Sequence, residues 1–222
     1  LTTDDATSAD RLSRRALRGY AVVLALTLWA VAAFSLATPG RLDRTGALKG
    51  IDFVSSWFSG HLVSEGRADL LFDRAAWREA IPRLFPEAPG LLFLPNYPPQ
   101  AALFFSPFGR LPFGPALVLW TLVSMGLYAW AIRVLWRECP ALAGDGVTVA
   151  LAAAGWPAFF LLALGGQNTT IVLACYALAG LACARRREGW MGAAFGLCAL
   201  KPHFALVPAV VLLLAGRWRA VA

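Results

Sequence analysis

Residues 111–132 read LPFGPALVLWTLVSMGLYAWAI, 22 residues without a charged side chain, closed by Arg133, Trp136 and Arg137. As a helix this run is long enough to cross a hydrocarbon layer ~30 Å thick. Working outward, further apolar blocks occupy Tyr20 to Ala37, Val147 to Leu164, Thr169 to Ala184 and Trp190 to Gly216. Of the 222 residues, 59% are hydrophobic and 15% charged, with a mean hydropathy of +0.61. Ordinary soluble domains carry roughly a quarter charged residues, and a soluble core of this size could not bury the apolar surplus. A soluble enzyme, a disordered tail and a secreted disulfide scaffold are excluded. The pattern predicts an all-α polytopic membrane protein, a transmembrane helix bundle with amphipathic helices in one long loop.

The formal charge of +7 would suggest nucleic acid in a soluble protein. Here the basic residues are arginines apart from Lys49 and Lys201, and they sit mostly between apolar blocks. That is a membrane-orientation signal, so no nucleic-acid partner is expected. The segments 11–18, 133–137, 185–187 and 217–219 hold 11 arginines, and one consistent alternation places all four in the cytoplasm. Residues 1–18 are then a cytoplasmic tail and 19–222 a transmembrane domain, with the loop of about 40–111 and the Gly166-Gln167 turn outside. The Tyr20–Ala37 run has the basic flank of a signal peptide, but it is slightly long for one and more spans follow, so it reads as a retained first helix. The chain begins at Leu1 rather than Met and stops at Ala222, just after Gly216-Arg217-Trp218-Arg219. It is therefore expected to be the N-terminal portion of something longer.

In the long loop, Phe53, Trp57, Phe58 and Leu62 recur at helical intervals, as do Trp77, Ile81, Leu84 and Phe85. Two amphipathic helices follow, either lying on the membrane surface or packed within a small loop domain. Pro95-Asn96-Tyr97-Pro98-Pro99 forbids regular helix before a shorter apolar stretch, Ala101 to Phe108. The last block is interrupted by Lys201-Pro202-His203. Its arms would each rise only about 16 to 20 Å as helix, too little to span. With basic residues at both ends, it reads as a re-entrant hairpin rather than one long kinked helix.

An ionisable group within the membrane is expensive, which makes Lys201 a functional candidate, its three donors suited to a phosphate and His203 placed to assist. The alternative is a snorkelling lysine or a salt-bridge partner. Asp52, in Gly50-Ile51-Asp52-Phe53, is a carboxylate near the outer surface that could accept a proton from an attacking hydroxyl, or could cap the helix beginning at Phe53. Glu65, Asp69, Asp73, Glu79 and Glu87 are rival carboxylates that read as solvated helix faces. Gln167 and Asn168 could hydrogen-bond sugar hydroxyls or cap helix ends, and Tyr97 could stack on a sugar or end the loop. Cys139, Cys175, Cys183 and Cys198 lack CxxC spacing and histidine partners, so they read as small apolar packing residues. There is no phosphate-cradling glycine loop, GxSxG, HExxH or dinucleotide fingerprint, and no metal or cofactor is expected.

Taken in order, Asp52 after the first span, Asn96-Tyr97-Pro98-Pro99 before a stretch with Ser106-Pro107, Gly166-Gln167-Asn168, and Leu200-Lys201-Pro202 after an arginine-rich loop form a pattern. Over residues 50 to 220 it resembles glycosyltransferase family 87, the polytopic enzymes similar to bacterial α-1,2-mannosyltransferases that use polyprenyl-phosphate sugar donors. Members of that family are considerably longer. The resemblance implies a GT-C-like membrane fold in the bacterial plasma membrane. It further implies a hexose, mannose in the family's pattern, moved with inversion from a polyprenyl-phosphate-linked donor to a lipid or glycan acceptor. Asp52 would be the general base, with Tyr97, Gln167 and Lys201 lining the cavity. Lys201, with His203, is assigned to the lipid phosphate on grounds of charge. Two other classes remain open. A transporter or lipid flippase also uses broken helices and buried charge, though no internal repeat is visible. A noncatalytic membrane scaffold would pair Lys201 with an acid on another chain.

Overall fold

A computed structural model of the chain describes residues 3–142 and 144–221, with side chains described over 15–142 and 144–220. Among these residues the protein is all-α. The helices are α1 (Thr3–Leu36), α2 (Phe53–Ser64), α3 (Arg74–Leu84), α4 (Pro99–Gly109), α5 (Phe113–Glu138), α6 (Gly146–Ala154), α7 (Pro157–Gly165), α8 (Thr169–Ala184), α9 (Glu188–Leu197), α10 (Pro202–Leu214) and α11 (Trp218–Val221). Two are long and apolar enough to cross a bilayer, α1 over Arg15–Leu36 and α5 over its whole length. Their outward faces, including Leu26, Val31, Phe34, Val118 and Leu122, are exposed apolar surface, as lipid-facing helices require. The expected tail over 1–18 begins in Leu1 and Thr2, which lie outside the described residues, as do the side chains of Arg11 and Arg14. From Thr3 the helix runs without interruption into the span.

The single span expected over Val147 to Leu164 is instead two helices, α6 and α7, bent by 52°. Pro157 is the cause. It occupies the first turn of α7, where its missing N–H is harmless, and it holds Trp156 extended at φ −70°, ψ 119°. Such a break frees the last carbonyls of α6, which is costly in hydrocarbon. Tyr128 Oη donates to Ala153 O at 2.8 Å and Trp29 Nε1 to Ala154 O at 3.0 Å, so neighbouring helices satisfy them. Small residues let α1 approach: Ala21 and Ala25 are buried, and a Cβ on Gly155 would meet Ala21 O at 3.0 Å.

The block after Trp190 is a hairpin, as its short arms predict. Arg217 Nη1 meets Glu188 Oε1 at 2.6 Å and closes its base, while Lys201 sits at its tip between α9 and α10. The arginine-rich segments are joined at one end of the bundle. Arg18 pairs with Asp145 at 2.6 Å, and Arg185 with Glu138 at 3.9 Å. The Asp145 carboxylate also accepts from the Thr148 hydroxyl and backbone N–H, and these bonds together with Arg18 hold its pKa at about 2.

Of the two readings of the loop, internal packing describes α2. Phe53, Val54, Trp57, Phe58 and Leu62 are buried, but so are Ser55, Ser56, Ser59 and Gly60 on the other side. Gly60 faces α4, while Ser55 and Ser56 meet Asn96 and Asn168, so this side too is turned from water and lipid. A Cβ on Gly60 would fall on the Phe105 carbonyl and 3.0 Å from Ser106 N, and one on Gly109 would fall on the backbone of Gly60 and His61. The two helices therefore touch backbone to backbone, and His61 Nδ1 reaches Gly109 O at 3.0 Å. Around this contact Trp77, Phe85, Phe105, Phe113 and Trp120 complete an aromatic core. The second helix, α3, is amphipathic, burying Trp77 and Ile81.

Gly60→Val should therefore destabilise the protein by at least ~1–3 kcal/mol, as overpacking against backbone does. Thermal unfolding of the detergent-purified protein measures it. Asp145 is ionised well below its ordinary value of 3.8, so its contribution to stability is complete above about pH 4 and is lost as pH falls from 3.8 towards 2. Asp145→Asn should lower the unfolding temperature at pH 7 and show a shallower loss over that acid range.

Candidate active site

Asp52 lies just before α2, and the backbone around it is bonded to the end of α7. Gly50 N donates to Leu164 O at 3.0 Å and Asp52 N to Gly165 O at 2.9 Å. Its side chain makes no capping hydrogen bond, so the capping alternative does not describe it. The carboxylate is exposed and lies over Gly165, where an added Cβ would stand 2.7 Å from Oδ2. Gly166 follows with φ +69°, a left-handed conformation that glycine adopts without strain, and Trp120 Nε1 donates to its carbonyl at 3.0 Å. A Cβ on Gly166 would approach Phe53 Cβ at 2.8 Å, so two successive glycines allow the turn to press against the start of α2.

Asn168 precedes α8 and is buried. Its Nδ2 donates to Ser56 Oγ at 3.2 Å, while its Oδ1 has no protein partner. Lys201 Nζ donates to Thr169 Oγ1 at 3.0 Å and lies 5.9 Å from the centre of the Tyr97 ring. Thr169 Oγ1 in turn reaches Gln167 Oε1 at 3.4 Å. Burial raises the Tyr97 phenol above its ordinary value, the Asn168 amide opposes the shift, and the Asp52 charge adds to it. Asp52, Tyr97, Gln167, Asn168 and Lys201 therefore converge on one place. His203 does not join them: it is exposed and its ring packs on Phe204, with centroids 4.4 Å apart. The helical turn that follows Pro202 carries it to the outside of α10.

Sequence reasoning missed Thr169 and the pair of serines. Ser55 Oγ donates to Asn96 Oδ1 at 3.1 Å and so ties the Asn96-Tyr97 segment to α2. Gln100 Nε2 reaches Ala199 O at 3.3 Å and ties the start of α4 to the hairpin tip. The starting ends of four helices, α2, α4, α8 and α10, consequently meet here. Helix N-termini carry partial positive charge, which favours anions, although Pro99 and Pro202 supply no N–H and those of Phe53 and Val54 bond to Gly50 O and Ile51 O. A hydroxyl rather than an apolar residue at Thr169, directly after Gln167-Asn168, was the available signal.

Residues 93–222 match the sequence model of glycosyltransferase family 87. The chain belongs to glycosyltransferase family 87. It is accordingly a membrane glycosyltransferase, acting on a sugar donor and an acceptor. No curated protein and no solved structure matches it. The matched residues include Tyr97, Gln167, Asn168 and Lys201, whereas Asp52 precedes them and is tied to them through Gly165.

In this glycosyltransferase Gly165 closes a helix without left-handed backbone, so alanine fits there except for its contact with Asp52. Gly165→Ala should displace the carboxylate and reduce sugar transfer on the order of 10²-fold, the effect of a misplacement of about 1 Å. The unfolding temperature should change little, and the two measurements together separate positioning from folding.

Proposed function

We propose that the protein transfers a hexose, mannose by its family resemblance, from a polyprenyl-phosphate donor to a hydroxyl of a lipid or glycan acceptor, with inversion. The observation that carries this reading is the juxtaposition of a free carboxylate, Asp52, with a lysine, Lys201, at the meeting point of four helix N-termini. The carboxylate suits a general base and the positive surroundings suit a phosphate. In the displacement the acceptor oxygen attacks the anomeric carbon while Asp52 takes its proton. The bond from that carbon to the phosphate oxygen breaks, and polyprenyl phosphate departs with the electron pair. Lys201 and the helix N-termini stabilise the charge that grows on the leaving phosphate. Asn168, Gln167 and Tyr97 offer amide and phenol groups to sugar hydroxyls, while His203, turned outward, has no part in this reading.

Arginines gathered at the opposite end of the bundle support a cytoplasmic N-terminus and a site on the outer face of the plasma membrane. A donor whose tail stays in the bilayer would then present its sugar outward, beside the hairpin tip. A flippase would also need a cation for the phosphate, but it has no use for an uncapped carboxylate at the same point.

Asp52→Asn should lower mannose transfer from polyprenyl-phosphate-mannose by about 10²–10⁴-fold, the span of general-base effects. Lys201→Ala should lower it by about 10²–10³-fold, as loss of one oxyanion donor does. Both variants should insert in membranes at wild-type levels. Transfer of radiolabelled mannose into lipid and glycan fractions measures this, and full activity in both variants would overturn the site.

A further inference from the structure

At the end of the bundle away from Asp52, α1, α5, α6 and α7 leave between them a groove of about 460 Å³. Its wall includes Met125, Tyr128, Ala150 and Phe159, and at the end of α5 nearest the arginine segments, which we term its mouth, it is lined by Arg133 and Trp136. Its phenol and indole polar atoms are already engaged. Tyr128 Oη and Trp29 Nε1 hold the carbonyls at the α6–α7 break, and Trp136 Nε1 donates to Leu142 O at 2.7 Å. Water would find few partners in such a space, so it suits hydrocarbon. Along α5 the groove runs from Met125 to Arg133, a rise of about 12 Å. A single leaflet's hydrocarbon is about 15 Å deep, so the groove matches one acyl chain from one leaflet.

The mouth selects charge. Asp145, beside Gly146 at the mouth, is paired with Arg18, and Glu138 faces Arg185. Arg133 is exposed and has no ion-pair partner among the described residues. A guanidinium binds phosphate oxygens through paired N–H donors, and Trp136 beside it is the residue type that lies at the level of headgroups.

We propose that this groove binds an anionic glycerophospholipid, with one acyl chain along α5 and its phosphate on Arg133. The site is distinct from the one at Lys201. The length of α8, about 24 Å, separates Thr169, which Lys201 touches, from Arg185 at the basic end. The proposal does not rest on the transfer reaction, and its test does not measure transfer.

The protein is purified in detergent, supplied with equal phosphatidylglycerol and phosphatidylcholine, and examined by native mass spectrometry for retained lipid. Wild type should retain phosphatidylglycerol in preference. Arg133→Ala, a change at an exposed position, should reduce that preference about fivefold, the effect of one basic residue near an anionic surface. Arg133→Lys should keep part of it, and Ala150→Trp should reduce retention of both lipids by filling the groove. An unchanged preference in Arg133→Ala would overturn the proposal, as would the absence of retained lipid in wild type. Displacement of the retained lipid by polyprenyl phosphate, dependent on Arg133, would assign the groove to the donor instead and equally overturn it.

Discussion

Two backbone hydrogen bonds, from Gly50 N to Leu164 O and from Asp52 N to Gly165 O, join the long loop to the end of α7. The aromatic core shared with Phe113 and Trp120 of α5 anchors the loop as a whole, and these two bonds fix where Asp52 stands. With them, the start of α2 is held in register with the end of α7, and Gly165, Gly166 and Asn168 lie against Asp52, Phe53 and Ser56. The turn can come so close because Gly165 and Gly166 have no side chains and because Trp120, wholly buried, holds the Gly166 carbonyl from below. The bent α6–α7 pair belongs to the same constraint. Its 52° bend, set by Pro157 and stabilised by Tyr128 and Trp29, determines where Gly165 ends.

The parts of this arrangement that depend on bulk hydropathy and charge were legible in the residues. Apolar length predicted α1 and α5, and the arginine segments do meet at one end where the side chains are described. The Lys201-Pro202 interruption with two short arms predicted a hairpin. The α6–α7 bend was missed because a hydropathy run is blind to a single proline, although Trp156-Pro157 carried the local signal that a helix breaks there. On α2 it is Gly60 that admits the α4 backbone, while the hydroxyls of Ser55 and Ser56 bond Asn96 and Asn168.

The site shows a similar division. Asp52, Tyr97, Gln167, Asn168 and Lys201 were each readable as chemically unusual in place, and they gather. His203 was grouped with Lys201 by proximity in sequence, but two residues into a helix is a rotation of about 200°, and its ring faces Phe204 instead. The convergence of four helix N-termini was not readable at all, because it depends on tertiary packing among segments 53, 99, 169 and 202. Ser55, Asn96, Thr169 and Gln100 maintain it through side-chain hydrogen bonds that look unremarkable in sequence.

A hairpin tip is also a favourable way to place a lysine at depth. In a continuous crossing helix a charged side chain must find partners among apolar neighbours or reach for the surface. At a tip the chain reverses, and the cation has Thr169 and the Tyr97 ring as neutral partners. No carboxylate neutralises it by direct contact, since Lys201 forms no ion pair within the described residues. Asp52 is near but remains separate. A lysine and a carboxylate that share a space without bonding to each other are each free to contact a third group. Both helix arms meanwhile return to the basic end, where Arg217 and Glu188 hold them together.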